Sequence, residues 1–307
     1  MDVSVDVDVA GCIAGRAPSY LRERCILVSS VPGRRHLRSA DQLIITAVSN
    51  WCASKRLQLN AKKTEVLWFG SVTGLRKVDA ADRRLTIGTD VIQPVEVVRD
   101  LGVYFDSHLT MKSHVARVAR TCFYHLRRLR SIRRSLGRDV TARLVSALVI
   151  SRLDYCNSVL AHLPASTLAP LQRVINAAAR MVVDLGPRDH VTPALYELHW
   201  LPIAERIKFK LCLLVHHSIN GRAPSYLTEL VTSVANVPGR ASLRSAGRHD
   251  LVVPRSRLVS SERAFSVAAP RAWNSLPVDI RLITDTKLFK KKLKTYLFNL
   301  AFPGISQ

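Results

Sequence analysis

Acidic residues are scarce and dispersed: the 307-residue chain has 23 of them against 46 lysines and arginines, and no two are adjacent. That spacing excludes a neighbouring aspartate dyad of the sort that holds divalent ions on a reacting phosphate. Cysteine is equally unhelpful to a metal or a staple. Cys12, Cys25, Cys52, Cys122, Cys156 and Cys212 include no C-x-x-C pair, and no Cys/His cluster has zinc-finger spacing. Neither a zinc knuckle nor a disulfide framework is supported, and reduced, mostly buried thiols are expected. His216 and His217 are adjacent, so on a helix they face different sides and do not make a metal pair. The chain also lacks G-x-S-x-G, a glycine-rich phosphate loop ahead of a lysine, and H-E-x-x-H. No apolar run reaches the length of a membrane span, and the opening MDVSVDVDVA is acidic, unlike a signal or mitochondrial peptide. An intracellular protein, nuclear or cytoplasmic, not secreted and without a membrane partner, is the expectation.

What is present is positive charge on an aliphatic body. Hydrophobic content of 48% with 6% aromatics suits a globular, largely helical protein, and the length allows two domains. A formal charge of +23 and a pI near 10.6 favour polyanions, nucleic acid first and acidic membrane surfaces second. Richness in Arg, Ala and Val is also what GC-rich coding sequence produces.

The chain copies part of itself. GRAPSYLRERCILVSSVPGRRHLRSA (15–40) and GRAPSYLTELVTSVANVPGRASLRSA (221–246) agree at 17 of 26 positions, at an offset of 206. One copied piece is not a solenoid, which stacks several contiguous repeats. Residues 1–40 therefore read as a poorly ordered segment without its native packing partners, and a functional duplication is the alternative.

Between 41 and 60, Leu43, Ile44, Ala47, Val48, Trp51 and Leu57 form an apolar helical stripe that Asn60 ends. Glu65–Phe69 has strand composition, 84–87 and 90–92 read as a hairpin over Gly88-Thr89, and 97–105 as a further strand. Helices follow from 110 to about 232. The first, 111–136, puts Val115, Val118, Cys122, Leu126, Leu129 and Leu136 on one face, and Asp139 caps the next. Residues 233–250 read as a mobile Gly/Ser/Arg/Pro linker. Residues 251–307 read as a compact tail ending in a helix over 286–300, with Leu288, Phe289, Leu293, Tyr296 and Leu297 as its apolar face. The fold class is α+β and mainly helical: a small antiparallel sheet near 64–106, a helical bundle, and a small C-terminal module.

Seven landmarks occur in order: LQLNAKKTEVLWFG, VRDLGVYFD, SRLDYCNSVL, LQRVINAAARMV, LHWLPIAERIKFKLCLLV, GRAPSYL, and RAWNSLP near FKKKLKTYLF. Together they resemble the C-terminal part of a non-LTR retrotransposon reverse transcriptase of the Jockey and chicken-repeat kind, over most of 41–302. The resemblance implies a trailing palm remnant at 41–109, a thumb-like helical region at 110–232, and a C-terminal extension at 251–307. It also implies an RNA-directed DNA polymerase that uses magnesium. The family's aromatic-alanine-aspartate-aspartate block has no counterpart here, so the chain reads as truncated and catalytically inactive alone, with no cofactor of its own. A non-catalytic RNA- or DNA-binding protein, or an inert relic, is the alternative.

Three pieces transfer by position. Lys63, directly before the threonine of LNAKKTE, resembles the lysine proposed to protonate departing pyrophosphate. Without catalytic carboxylates it reads better as a vestigial general acid or a solvated lysine in a turn. Leu101 and Gly102 of DLGVYFD resemble the primer-grip turn, where a residue without a β-carbon lets backbone approach a nucleic-acid strand, or form a plain strand kink. In the thumb's place, nine arginines and one acid, Asp139, lie between 117 and 143. Arg117, Arg120, Arg127, Arg128 and Arg134 fall opposite the apolar stripe, suiting sequence-independent contact with an RNA or DNA backbone or a merely solvated face. Arg133 falls inside the apolar arc, where its stem would have to snorkel outward. A second cluster, Lys287, Lys290, Lys291, Lys292 and Lys294, suits nucleic acid, an import receptor, or complementation of a helix dipole. Trp51, Trp68, Trp200 and Trp273 sit in apolar patterns and read as core anchors, not stacking platforms.

Overall fold

The computed structural model describes residues 26–30, 37–57, 59–77, 79, 83–186, 188–239, 247–256 and 261–304. The chain divides into two compact units, Met1–His114 and Val115–Gln307. Its architecture is α+β and mainly helical, and among the described residues strands are confined to the first unit apart from an isolated bridge.

In the first unit, strand β1 (Ile26–Ser30) leads to helix α1 (Leu37–Ser54), then to strand β2 (Glu65–Phe69) and the short helix α2 (Val72–Arg76). β1 and β2 pair in parallel, Ile26 opposite Glu65 and Ser30 opposite Phe69. Parallel neighbours need a crossover, and α1 supplies it. Among the described residues the strands form three two-stranded ladders: two are antiparallel, as expected near 64–106, and β1–β2 adds a parallel one instead of joining them in a single sheet. Of the segment expected to lack order, 26–30 is a paired strand and 37–40 begins α1, while 1–25 and 31–36 lie outside the described residues.

The apolar stripe of α1 is also rotated from expectation. Ile45 and Cys52 are buried, whereas Leu43 is 68% exposed and Ala47 is exposed. The helix ends at Ser54 because Arg56 turns left-handed (φ 57). Asn60 is not its terminator but caps the following turn, Ala61–Lys63, through Oδ1, which accepts from Lys62 N at 3.0 Å. Ile45 joins Val66, Trp68, Leu85, Ile87 and Ile92 in one core. Gln42 ties α1 to strand β3 (Leu85–Ile87). Its amide donates to Thr86 O at 2.8 Å and accepts from Thr86 N at 3.0 Å, serving Thr86 as a neighbouring strand would. β3 pairs with β4 (Asp90–Ile92) over Gly88, whose φ of +59 suits a two-residue hairpin.

The expected single strand over 97–105 is two strands. β5 (Val97–Asp100) and β6 (Val103–Asp106) form an antiparallel hairpin. Leu101 (φ 42) and Gly102 (φ 86) make its turn. Positive φ at both central residues is the twist-matched geometry for a two-residue loop.

The second unit is helical. Helix α3 (Lys112–Ile132) enters it and ends in a 3-10 turn, Arg133–Ser135. Helix α4 (Arg138–Val145) starts at Gly137 and has Asp139 in its first turn, not at its cap. It runs on through a π-helical stretch, Ser146–Ile150, into α5 (Ser151–Asp154). Helices α6 (Ala165–Val183), α7 (Thr192–Glu197) and α8 (Ile203–Ile219) follow. α8 is central: Ile207, Leu211, Cys212, Val215 and His216 are all buried. Arg206 on α8 fixes Asp154 at 2.8 and 3.0 Å.

Residues 251–256 and 261–304 belong to the second unit. Helices α9 (Ser225–Thr228), α10 (Phe265–Asn274) and α12 (Thr286–Ala301) pack on α8, with α11 (Val278–Arg281) against α12. Phe289 stacks on His216 with ring centroids 4.1 Å apart, and Trp273 lies 5.8 Å from Phe289. Part of the expected linker is tied down. Val234 is buried, its N–H donates to Asp250 O at 3.0 Å, and Ser233 bridges Leu251; 240–246 lie outside the described residues. Leu288, placed on the apolar face by its spacing, is 46% exposed.

Candidate nucleic-acid interface

The chain enters α3 through Asp106. Its carboxylate accepts from Thr110 N and Met111 N at 2.9 Å, Thr110 Oγ1 at 3.0 Å and His108 N at 3.2 Å. Four donors consume both oxygens in a turn-and-cap role. Among the described residues no three His, Cys, Asp or Glu side chains gather where a metal could bind.

α3 has two opposed faces. Val115, Ala119, Cys122, Leu126 and Leu129 are buried. Cys122 Sγ lies 3.9 Å from Val149 O of the π-helical stretch, so this seam packs on the α4 side. Burial pushes the Cys122 thiol up to about 11, with nearby Arg152 opposing. Arg117, Arg120, Arg127, Arg128 and Arg130 are exposed, as is Arg134 in the 3-10 turn. The sequence thus located the basic face by spacing alone, because burial of one side leaves these long cations the other.

Arg133 is corrected. It does not snorkel outward: Nε donates to Met181 O at 2.9 Å, NH1 to Leu136 O at 3.0 Å and NH2 to Val182 O at 3.4 Å. Met181 and Val182 close α6, whose last carbonyls lack helical partners, and a guanidinium there satisfies them and complements the dipole.

Two aromatic residues on the basic face carry no signal in a search for buried anchors. Tyr124 is 48% exposed. At ~100° per residue, Arg117, Arg120, Arg127 and Arg128 lie within about 60° of it on the helix wheel. The Arg128 guanidinium sits over its ring, 5.8 Å from the centroid, and NH1 donates to its hydroxyl at 3.3 Å. His125 meets it edge-on at 5.4 Å. Partial burial, then Arg152 and Arg128, hold His125 below the usual histidine range. By contrast Trp68 and Trp273 are buried and Trp51 and Trp200 half-buried, as core anchors are.

The remaining positions lie elsewhere. Lys63 is exposed at the end of its 3-10 turn. Leu101 is 69% exposed at the β5–β6 tip, with Gly102 half-buried beside it. Lys287, Lys290, Lys291, Lys292 and Lys294 are exposed on α12. Four of them occupy its N-terminal half, Lys294 lies just past the midpoint, and its last turn has no basic residue. Complementing the helix dipole is therefore not their role, since cations are disfavoured at that end.

Cys52, Cys122, Cys156 and Cys212, the cysteines among the described residues, form no disulfide. No described helix is long and apolar enough to cross a membrane. Comparison of the chain with protein-family models, with curated proteins and with solved structures finds no match in any of the three.

Proposed function

We propose that this chain is a rear portion of a non-LTR retrotransposon reverse transcriptase, acting as a non-catalytic clamp on RNA or DNA backbone. The carrying observation is the exposed arginine row of α3, opposite a buried seam, with Asp139 the one acid between 117 and 143. Guanidinium groups held in a row by a helix can pair with successive phosphates without reading bases. The seven ordered landmarks, the α+β mainly helical build and the +23 charge support the same reading. In it, 110–232 is thumb-like, Lys290, Lys291 and Lys292 are auxiliary backbone contacts, Leu101 and Gly102 are a primer-grip turn, and Lys63 is vestigial. Polymerisation is not expected, because no adjacent carboxylates exist to hold the metals and Asp106 is committed to its cap.

Filter binding of structured RNA and duplex DNA across salt concentrations tests this. Binding should weaken linearly in log–log form, and Arg120→Gln, Arg127→Gln and Arg134→Gln together should flatten the duplex-DNA slope by roughly 2.7. Absence of binding at low salt, or magnesium-dependent deoxynucleotide incorporation on a primed template, would refute the respective halves of the proposal.

A further inference from the structure

Beside the arginine row lies an open groove of about 780 Å³ between α3 and the end of α4 with the π-helical stretch that continues it. Leu129, Leu144 and Leu148 give it apolar walls, and Tyr124, Arg127 and Arg128 form its rim. The π-helical stretch, which contains Leu148, is an irregularity of a kind often found at functional sites. Among the described residues no carboxylate lines the groove, and Arg152 adds positive potential near His125. Apolar walls, an aromatic shelf and a cationic rim suit a flat, apolar-faced group joined to an anionic chain.

We infer that this groove takes an unpaired base of single-stranded nucleic acid, stacked on Tyr124, while the arginine row holds the flanking phosphates. The inference rests on the clamp reading and deepens it: a backbone clamp alone accepts duplex and single strand alike. A duplex keeps its bases stacked inside, whereas a single strand can offer one to the ring. Tyr124 is pre-positioned for this. Arg128 above the ring and His125 at its edge fix its orientation, so little side-chain freedom remains to be lost on binding.

The test measures the affinity of the full chain for a single-stranded oligoribonucleotide and for a duplex with the same number of phosphates. Tyr124→Leu should weaken the single strand roughly five- to 150-fold and leave the duplex and its salt slope unchanged. Tyr124→Phe keeps the ring and should bind both as the parent does. Ultraviolet crosslinking of a 5-bromouridine oligonucleotide to the unaltered chain should mark the peptide containing Tyr124, independently of any variant's folding. Equal losses on both nucleic acids, no loss on either, or a crosslink confined to other peptides overturns the base-stacking site and leaves the clamp intact. If an acidic peptide displaces the oligonucleotide and itself depends on Tyr124, the groove belongs to that peptide and the inference fails. No binding of either nucleic acid at low salt removes the clamp and the stacking site together.

Discussion

Arg133 and Arg134 are adjacent arginines with opposite assignments, and substituting each separates structure from function. Arg133 donates to three carbonyls, at 2.9, 3.0 and 3.4 Å, two of them at the end of α6. A hydrogen bond to a charged group contributes about 1.5–3 kcal/mol, and the half-buried setting together with the longest contact places the sum near the low end. Loss of the favourable charge at a helix C-terminus adds about 0.3–1 kcal/mol. Arg133→Met keeps most of the stem's packing and removes the donors, so a destabilisation of about 2–4 kcal/mol is expected. In a unit of this size that lowers the melting midpoint by about 5–12 °C. Arg134 is exposed, and Arg134→Gln should change stability by no more than about 0.5 kcal/mol. Calorimetry of the Val115–Gln307 transition reads the first effect. Salt-dependent binding reads the second: Arg134→Gln should flatten the duplex-DNA slope by about 0.9, and Arg133→Met should leave it unchanged. Equal thermal shifts for the two variants, or a slope change confined to Arg133→Met, would refute the assignment.

Two further outcomes follow from the side chains and the backbone. Burial holds His216 below its ordinary value. Because the folded state resists its protonation, stability is complete above pH 6.5 and declines as pH falls below that point, where only the unfolded chain takes the proton. His216→Gln should shrink the drop in melting midpoint between pH 7.5 and pH 5, and an undiminished drop would show that other groups carry it. At the β5–β6 tip, Leu101 has φ 42 and is 69% exposed. A left-handed leucine costs roughly 1–2 kcal/mol, so Leu101→Asn should stabilise the Met1–His114 unit by about 1 kcal/mol in thermal unfolding. Destabilisation would mean that the side chain holds a contact worth more than the strain.

Periodicity determined much of this protein: α3 with its buried and basic faces, the Gly88 hairpin and the mainly helical α+β class follow from spacing and turn residues. Tertiary structure decided whatever depended on a partner distant in sequence. The two copies of the repeat illustrate it. Ile26–Ser30 is a strand because β2 offers a parallel edge, while the corresponding 232–236 makes one bridge to Leu251 and turns into a 3-10 helix. Only Val28 and Val234 agree within that window, so local residues and local partner diverged together. Arg133 could not be read from its wheel position, since what it serves is a pair of carbonyls 48 and 49 residues away. Tyr124 was legible as one residue among arginines, but not as a shelf, because the groove beside it needs Leu144 and Leu148 from another helix. Spacing along a helix fixes which side chains share a face; only packing fixes what that face meets.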